Sequence, residues 1–224
     1  MSTKIKRLGA WLLVLVMVCV LIPPVAGDTD PEEAVDGKEE PAEEEVIVVS
    51  NDDPYSSMSA DWGDDIYAQG FKYYKIPNMY TEDGGCFPEV VQAYLWGLCK
   101  ARGLDYYTVV ALIERESGYK YDAVGDAGNS FGYGQIYRIW HLDRMAEECV
   151  EDLTDPYGNL RVCTNFLAEL EDQYGDSGEN CYLMVYNMGE AVAKELWNSG
   201  VYSTEYSRGI LQRAQEIKQE LQRQ

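Results

Sequence analysis

Apolar side chains recur every three or four residues along most of the second half of the chain, which is the spacing of amphipathic α-helices. Residues 88–102 predict one such helix, opened by a proline and ended by Gly103. A second helix is predicted between an N-cap at Asp105 and a terminal glycine, Gly118. Further helices are predicted near residues 140–151, 156–174, 181–189, 191–199 and 204–221. The pattern therefore predicts an all-α domain.

The second predicted helix ends in the sequence ALIERESGY, which contains Glu114 and Glu116. Its apolar stripe runs through Val109, Leu112 and Ile113, and the i, i+3, i+4, i+7 series then reaches Glu116. Glu114 lies about 200° around the helix from Glu116, so we expect it to face solvent. Desolvation and the negative end of the helix dipole both raise the pKa of a carboxyl placed as Glu116 is. Such a glutamic acid stays protonated as a general acid, although a helix-end glutamate with its head group in water fits the same pattern.

The segment that follows this helix, KYDAVGDAGNSFGYGQI, is rich in glycine, aspartate and asparagine. These residue types are typical of turns, so we expect a short irregular or β loop beside the helix end. The segment matches neither GxGxxG nor the GxxxxGK[ST] phosphate-binding motif. Nucleotide binding is therefore not predicted.

The first 27 residues have the layout of a secretory signal peptide. Three basic residues, Lys4, Lys6 and Arg7, precede an apolar run at residues 8–22, and prolines and small residues follow it. The run is shorter than the ~20 residues that span a bilayer, which favours cleavage after residue 26 or 27. Retention as an N-terminal membrane anchor through residues 8–22 is the alternative. We therefore expect an exported protein that is secreted or anchored outside the cytoplasm.

Residues 28–60 are expected to form an acidic, disordered linker, and residues 61–224 a single globular domain. Between residues 28 and 53 there are twelve acidic residues and one lysine, and such a segment repels itself and stays extended. The whole chain has a formal net charge of −21. A protein this acidic is repelled by a phosphate backbone, so we expect no binding to nucleic acid.

Metal-ligating residues are scarce, and we expect neither a metal site nor a cofactor. The only histidine is His141 and no CxxC pair occurs, which leaves little from which to build a zinc site or a histidine-based triad. Five cysteines lie after the signal: Cys86, Cys99, Cys149, Cys163 and Cys181. An exported location permits two disulfides and one free thiol among them. The pattern specifies no oligomeric state.

Five short motifs follow one another in the C-terminal part of the chain. They are Glu116-Ser117, FGYGQI at residues 131–136, Asp155-Pro156 with Asn159-Leu160, YNMG at residues 186–189, and Tyr206. In this order, over roughly residues 80–215, they resemble the lytic transglycosylase (SLT) domain of the lysozyme-like superfamily. The resemblance implies an all-α, lysozyme-like fold and an enzyme that acts on peptidoglycan glycan strands.

The resemblance also implies a mechanism that needs one carboxyl group. Glu116 would protonate the oxygen of the β-1,4 bond between N-acetylmuramic acid (MurNAc) and N-acetylglucosamine (GlcNAc). The resulting carboxylate would then take the proton from the muramoyl 6-hydroxyl, which closes a 1,6-anhydro ring. Because an internal hydroxyl replaces water, the second carboxylate of ordinary glycosidases is not required.

Several further residues would contact the saccharide if the family roles are carried over. Ser117 would orient the acid or contact the sugar, and Gln135 would line the saccharide groove. Tyr186 and Asn187 would lie across the cleft from the acid, and Tyr206 would close it.

The chain departs from the family pattern at two motifs. Tyr133-Gly134 replaces the usual Leu-Met pair, so we expect position 134 to lack an apolar side chain against the substrate. Val185 replaces the alanine that usually precedes Tyr-Asn. Both departures bear on affinity or on subsite preference.

Two alternatives remain open. The loop GDAGNSFG also resembles that of goose-type lysozymes, in which an aspartate at the position of Asp126 helps to activate water, so the protein would be a muramidase with a reducing-end product. A further acidic position of that lysozyme pattern is occupied by Tyr137. The other alternative is a non-catalytic wall-binding or assembly protein that keeps the groove without turnover.

Overall fold

The computed structural model describes residues 70–77, 79–81 and 84–223. The predicted signal or anchor at 1–27, the predicted linker at 28–60 and the first residues of the predicted domain lie outside these ranges. The helices of the described part are α1 Glu89–Arg102, α2 Tyr106–Ser117, α3 Leu142–Glu147, α4 Pro156–Tyr174, α5 Glu179–Met188, α6 Glu190–Asn198 and α7 Glu205–Gln222. The prediction of an all-α domain is confirmed.

Local sequence signals set most helix ends where they were expected. Asp105 accepts a hydrogen bond from the Thr108 amide, and Gly118 ends α2 with a left-handed φ of 58°. Asp155 caps α4 in the same way, before a proline at the first helical position. Pro88 is the N-cap of α1 rather than its first helical residue, a shift of one position.

The helix predicted near residues 140–151 is shorter than expected and divided in two. A 3₁₀ turn, Arg138–Trp140, precedes α3, and His141 lies between them as the N-cap of α3 rather than inside a helix. Helix α3 ends at Glu147, and Cys149 adopts a φ of 54°. The chain cannot continue as a right-handed helix through a residue with that backbone conformation.

Short antiparallel strands complete the domain. Strand β1 Met79–Tyr80 pairs with β2 Cys86–Phe87. Strands β3 Val124–Gly125, β4 Ser130–Phe131 and β5 Ile136–Tyr137 form a three-stranded sheet in that order. This second sheet is the glycine-rich loop predicted after α2.

The C-terminal helix α7 lies antiparallel along α2. Its buried residues Ser207, Ile210, Ala214 and Ile217 recur at helical spacing on one face. Three polar contacts follow the length of the pair: Tyr206 to Glu116, Arg213 to Glu114, and Lys218 to Asp105. The end of α2 that carries both glutamates is therefore covered by the last helix of the chain.

One expectation about an individual residue is wrong, and one arrangement that the sequence permits is not formed. Glu114 does not simply face solvent, because it is half-buried, accepts a hydrogen bond from Tyr119 at 2.9 Å and forms an ion pair with Arg213 at 2.9 Å. The disulfides that the sequence permits are not formed, since all five described cysteines are free thiols. Three of them, Cys99, Cys163 and Cys181, are buried and pack as small apolar side chains.

Within the described ranges, no helix combines the length and apolarity that a membrane span requires.

Candidate active site

Glu116 is the second-last residue of α2, and its side chain is half-buried against α7. The Tyr206 hydroxyl donates a hydrogen bond to one of its carboxylate oxygens. Position 116 thus lies on the packed side of the helix, as the apolar period predicted. The contact joins two residues that are 90 positions apart in the chain.

Opposing influences act on the Glu116 carboxyl. Burial raises its pKa above the ordinary value, and the negative charge of Asp126 raises it further. The hydrogen bond from Tyr206 and the positive charge of Arg115 lower it. Burial dominates, so the net direction is upward, which favours the protonated acid that proton donation needs.

Tyr186 on α5 binds the glycine-rich loop through its hydroxyl group. Its hydroxyl donates to the Gly134 carbonyl at 2.6 Å and lies 3.4 Å from the Cys163 sulfur. Burial raises the pKa of Tyr186 well above its usual range, and the nearby charge of Glu116 adds to that rise. The charge of Glu116 thus acts on Tyr186, and Tyr206 forms a hydrogen bond with Glu116. The contact of either tyrosine with a saccharide stays a prediction.

The loop is held against α4 by Asn159, which is fully buried. Its amide nitrogen donates to the carbonyls of Phe131 at 2.8 Å and Leu153 at 2.9 Å, and its amide oxygen accepts from the Gly134 amide at 2.9 Å. Each buried backbone group left without such a partner would cost about 1–3 kcal/mol. Asn159 was noted in the sequence only as part of a motif, and its role in positioning the loop comes from the structure.

Position 134 has no room for a side chain. A Cβ atom there would lie 2.7 Å from the Cys163 sulfur and 3.0 Å from the Tyr186 hydroxyl. A side chain at 134 would thus point into the packed interior instead of toward a substrate. Glycine at 134 is therefore required by the direct packing of the loop backbone on α4 and α5.

Gln135 and Ser117 use their polar atoms within the protein. The Gln135 side-chain nitrogen donates to the carbonyls of Ala123 at 3.2 Å and Gly132 at 3.0 Å. The Ser117 hydroxyl donates to the Ile113 carbonyl one turn earlier in α2, at 3.1 Å. Neither side chain contacts Glu116, and the contact of each with a saccharide stays a prediction.

Asp126 and Asn187 are both exposed. Asp126 adopts a left-handed φ of 48° in the turn between β3 and β4, and its carboxylate accepts a hydrogen bond from Ser130. Its charge acts on Glu116, so the two carboxyl groups share one region of the surface. Asn187 lies one residue beyond Tyr186, and its side-chain amide forms no hydrogen bond with another described residue.

The described residues bring no group of three or more His, Cys, Asp or Glu side chains together in a way that could hold a metal ion.

Comparisons with known proteins bear on the family and the fold of this chain. The family model described as "Transglycosylase SLT domain" matches residues 97–215, a segment that contains all the candidate site residues. Among solved structures, the chain is similar to the lytic transglycosylase Slt of Pseudomonas aeruginosa, determined as an inactive mutant in which a glutamate is replaced by glutamine. That similarity has a TM-score of 0.51 at 20% identity, and it covers 61% of this chain and 25% of the Pseudomonas chain. At this identity it shows a shared fold, and the aligned part is about a quarter of the longer protein. No curated protein matches the chain.

The raised pKa of Glu116 predicts a pH-dependent effect of Glu116→Gln on stability. The folded state binds this proton more tightly than the unfolded state, so the charged carboxylate lowers the stability of the parent above the raised pKa. The amide is nearly isosteric and uncharged. We expect the variant to be at least as stable as the parent at neutral pH, with a gain that disappears below the ordinary glutamate pKa of about 4.3.

Thermal unfolding midpoints of both proteins between pH 4 and pH 7 test this expectation. Glu114→Gln is the matched control, because it removes a partly exposed ion pair and should lower stability by about 0–1 kcal/mol at neutral pH. A neutral-pH midpoint for Glu116→Gln below that of the parent would contradict the raised pKa.

Proposed function

Because the chain belongs to the transglycosylase SLT domain family, we propose that it is a peptidoglycan lytic transglycosylase that cleaves the MurNAc–GlcNAc β-1,4 bond. The observation that carries the proposal is the half-buried Glu116 carboxyl, whose pKa is raised and which accepts a hydrogen bond from Tyr206. The neighbouring motif residues Tyr186 and Asn187 support the same assignment.

In the first step Glu116 acts as the general acid. Its protonated carboxyl donates a proton to the glycosidic oxygen as the bond from that oxygen to the muramoyl C1 breaks, so GlcNAc leaves as an alcohol. The upward shift of the Glu116 pKa keeps the proton on the carboxyl until the leaving oxygen needs it. The muramoyl ring is left with positive charge shared between C1 and the ring oxygen.

In the second step the same group acts as the general base. The Glu116 carboxylate removes the proton from the muramoyl 6-hydroxyl, and that oxygen forms a bond to C1 to give a 1,6-anhydromuramoyl end. The proton returns to Glu116, and no water is consumed. The Tyr206 hydrogen bond and the Arg115 charge stabilise the carboxylate that exists between the two steps.

A hydrolytic route is the second candidate, and Asp126 is the observation that favours it. Its exposed carboxylate acts electrostatically on Glu116 and is free to approach a water molecule. An inverting hydrolase needs two carboxyl groups about 6.5–9.5 Å apart around that water. Asp126 lies in a turn of the glycine-rich loop, a less rigid support than a helix, so we favour the anhydro product.

Cleavage by Glu116→Gln tests the assignment of the acid. Because one carboxyl serves both proton transfers, the variant should lose about 10⁴-fold or more of the cleavage rate. Glu114→Gln should stay close to the parent, since Glu114 contacts Tyr119 and Arg213 rather than the reacting region. The measurement is release of soluble fragments from purified peptidoglycan. Equal losses in both variants would contradict the assignment, and an inactive parent between pH 4 and 8 would favour the non-catalytic wall-binding alternative.

The products made by Asp126→Asn and by the parent separate the two chemistries. For a transglycosylase we expect muropeptides lighter by one water than hydrolysis products, and an Asp126→Asn variant that retains most activity. For a muramidase the ends would be reducing, and the variant would lose about 10²–10⁴-fold. Mass spectrometry of the digest with matched rate measurements decides between them. Reducing ends together with an inactive Asp126→Asn variant would overturn our choice.

We also propose that the protein acts outside the cytoplasm, where its proposed substrate is found. The support is the sequence of residues 1–27, which lie outside the described structure. Peptide mass mapping of the protein recovered from its host should show a chain that begins after residue 26 or 27. A full-length chain in the membrane fraction would instead indicate an anchor at residues 8–22, and an unprocessed cytoplasmic chain would contradict export.

A further inference from the structure

A cavity of about 400 Å³ lies between α2 and α7, next to the candidate active site. Tyr206 lines it, and the hydroxyl of the same side chain binds Glu116. The cavity and the catalytic carboxyl are therefore neighbours that share one tyrosine. Its volume lies in the range of about 300–1,000 Å³ typical of small-ligand sites.

Four charged side chains line this cavity, and two of them form no ion pair with another described residue. Glu114 and Arg213 form an ion pair with each other, and Arg213 also lies 3.5 Å from Glu220. Arg115 and Glu205 are exposed, and neither makes an ion pair or a side-chain hydrogen bond within the described part of the chain. The cavity thus offers one unpaired positive and one unpaired negative group.

Gly209 keeps the cavity open at α7. It lies inside the helix, and a Cβ atom built there would have no heavy atom within 4 Å. A glycine in a helix interior costs roughly 0.5–1 kcal/mol relative to alanine. Neither packing nor backbone conformation requires glycine at this position, whereas a long side chain on the same backbone would fill the open space.

We propose that this cavity binds the peptide attached to muramic acid, with a peptide carboxylate at Arg115 and a peptide amino group at Glu205. The inference rests on the proposed function and extends it to a second part of the same substrate. In peptidoglycan the peptide is joined through a lactyl ether to O3 of the muramic acid. That sugar is the one whose C1–oxygen bond Glu116 would cleave, so the peptide leaves the glycan strand beside the acid.

The charges of the cavity suit a peptide better than a saccharide. The peptides of peptidoglycan carry free carboxylates and, on their diamino residue, an amino group. The sugar rings carry hydroxyl and acetamido groups and no cationic group. An arginine binds a carboxylate with two parallel hydrogen bonds, and a glutamate pairs with an ammonium group. Arg115 and Glu205 would both find their partners on the peptide.

The test measures binding, so that it does not depend on cleavage. All proteins carry Glu116→Gln, and the ligands are glycan strands with their peptides and the same strands after an amidase has removed the peptides. The variants added to this background are Gly209→Leu, which fills the cavity, and Arg115→Gln, which removes the exposed cation. The matched controls are Gly209→Ala, a smaller change at the same site, and Arg208→Gln, which removes an exposed arginine of α7 that does not line the cavity.

We expect the background protein to bind peptide-bearing strands about tenfold or more tightly than stripped strands, as one charge-assisted contact would give. Gly209→Leu and Arg115→Gln should both remove most of this preference, and Arg208→Gln should keep it. Gly209→Ala should retain more of it than Gly209→Leu.

Three results would overturn the proposal. The first is a background protein without any preference for peptide-bearing strands, and the second is a preference that persists in both cavity variants. The third is an equal loss of binding to both ligands, which would indicate that the cavity holds saccharide. Arg115 is exposed, so its variant should fold even if the leucine at 209 disturbs α7. Cleavage by the parent with Glu116 intact is measured separately, so a failure of the proposed catalysis can be told apart from a failure of peptide binding.

Discussion

The hydrogen bond from Tyr206 to Glu116 is the contact on which the rest of the site depends. It requires the last helix of the chain to return along α2, and the polar contact of Lys218 with the Asp105 cap fixes that alignment at the other end of the pair. Burial of the acid follows from this pairing, because α7 covers the end of α2. A loss of packing anywhere along α7 would therefore change the protonation of Glu116 as well as the stability of the domain.

A single acid/base group must hold its proton at one moment and release it at the next. Burial and the charge of Asp126 favour the protonated form, while Tyr206 and Arg115 favour the carboxylate. With burial alone, the Glu116 carboxylate would be too unstable to form readily during bond cleavage. With Tyr206 and Arg115 alone, the carboxyl would lose its proton before the glycosidic oxygen needs it. The pKa of Glu116 is raised overall, but Tyr206 and Arg115 oppose the rise. This balance suits the proposed mechanism, in which one carboxyl acts as both general acid and general base.

The sequence alone accounts for the helices and for the position of Glu116 on the packed side of α2, because both depend on local information. N-cap residues, terminal glycines and the apolar period are properties of neighbouring positions. The same period misplaced Glu114, since its partner Arg213 is 99 positions away and lies on a helix whose docking the sequence does not specify. Long-range contacts of this kind were the part that the sequence could not predict.

Two glycines show most clearly what packing adds to a sequence. Gly134 and Gly209 are the same residue type in different surroundings. A Cβ at 134 would meet the Cys163 sulfur at 2.7 Å, whereas a Cβ at 209 would meet nothing within 4 Å. The first glycine is explained by the fold, because Asn159 and Tyr186 hold the loop backbone against two helices. The second is not explained by the fold, and in a helix interior it lowers stability. A residue that costs stability without a packing reason calls for a functional reason, and the peptide site that we propose in the open, charged cavity beside Glu116 would supply one.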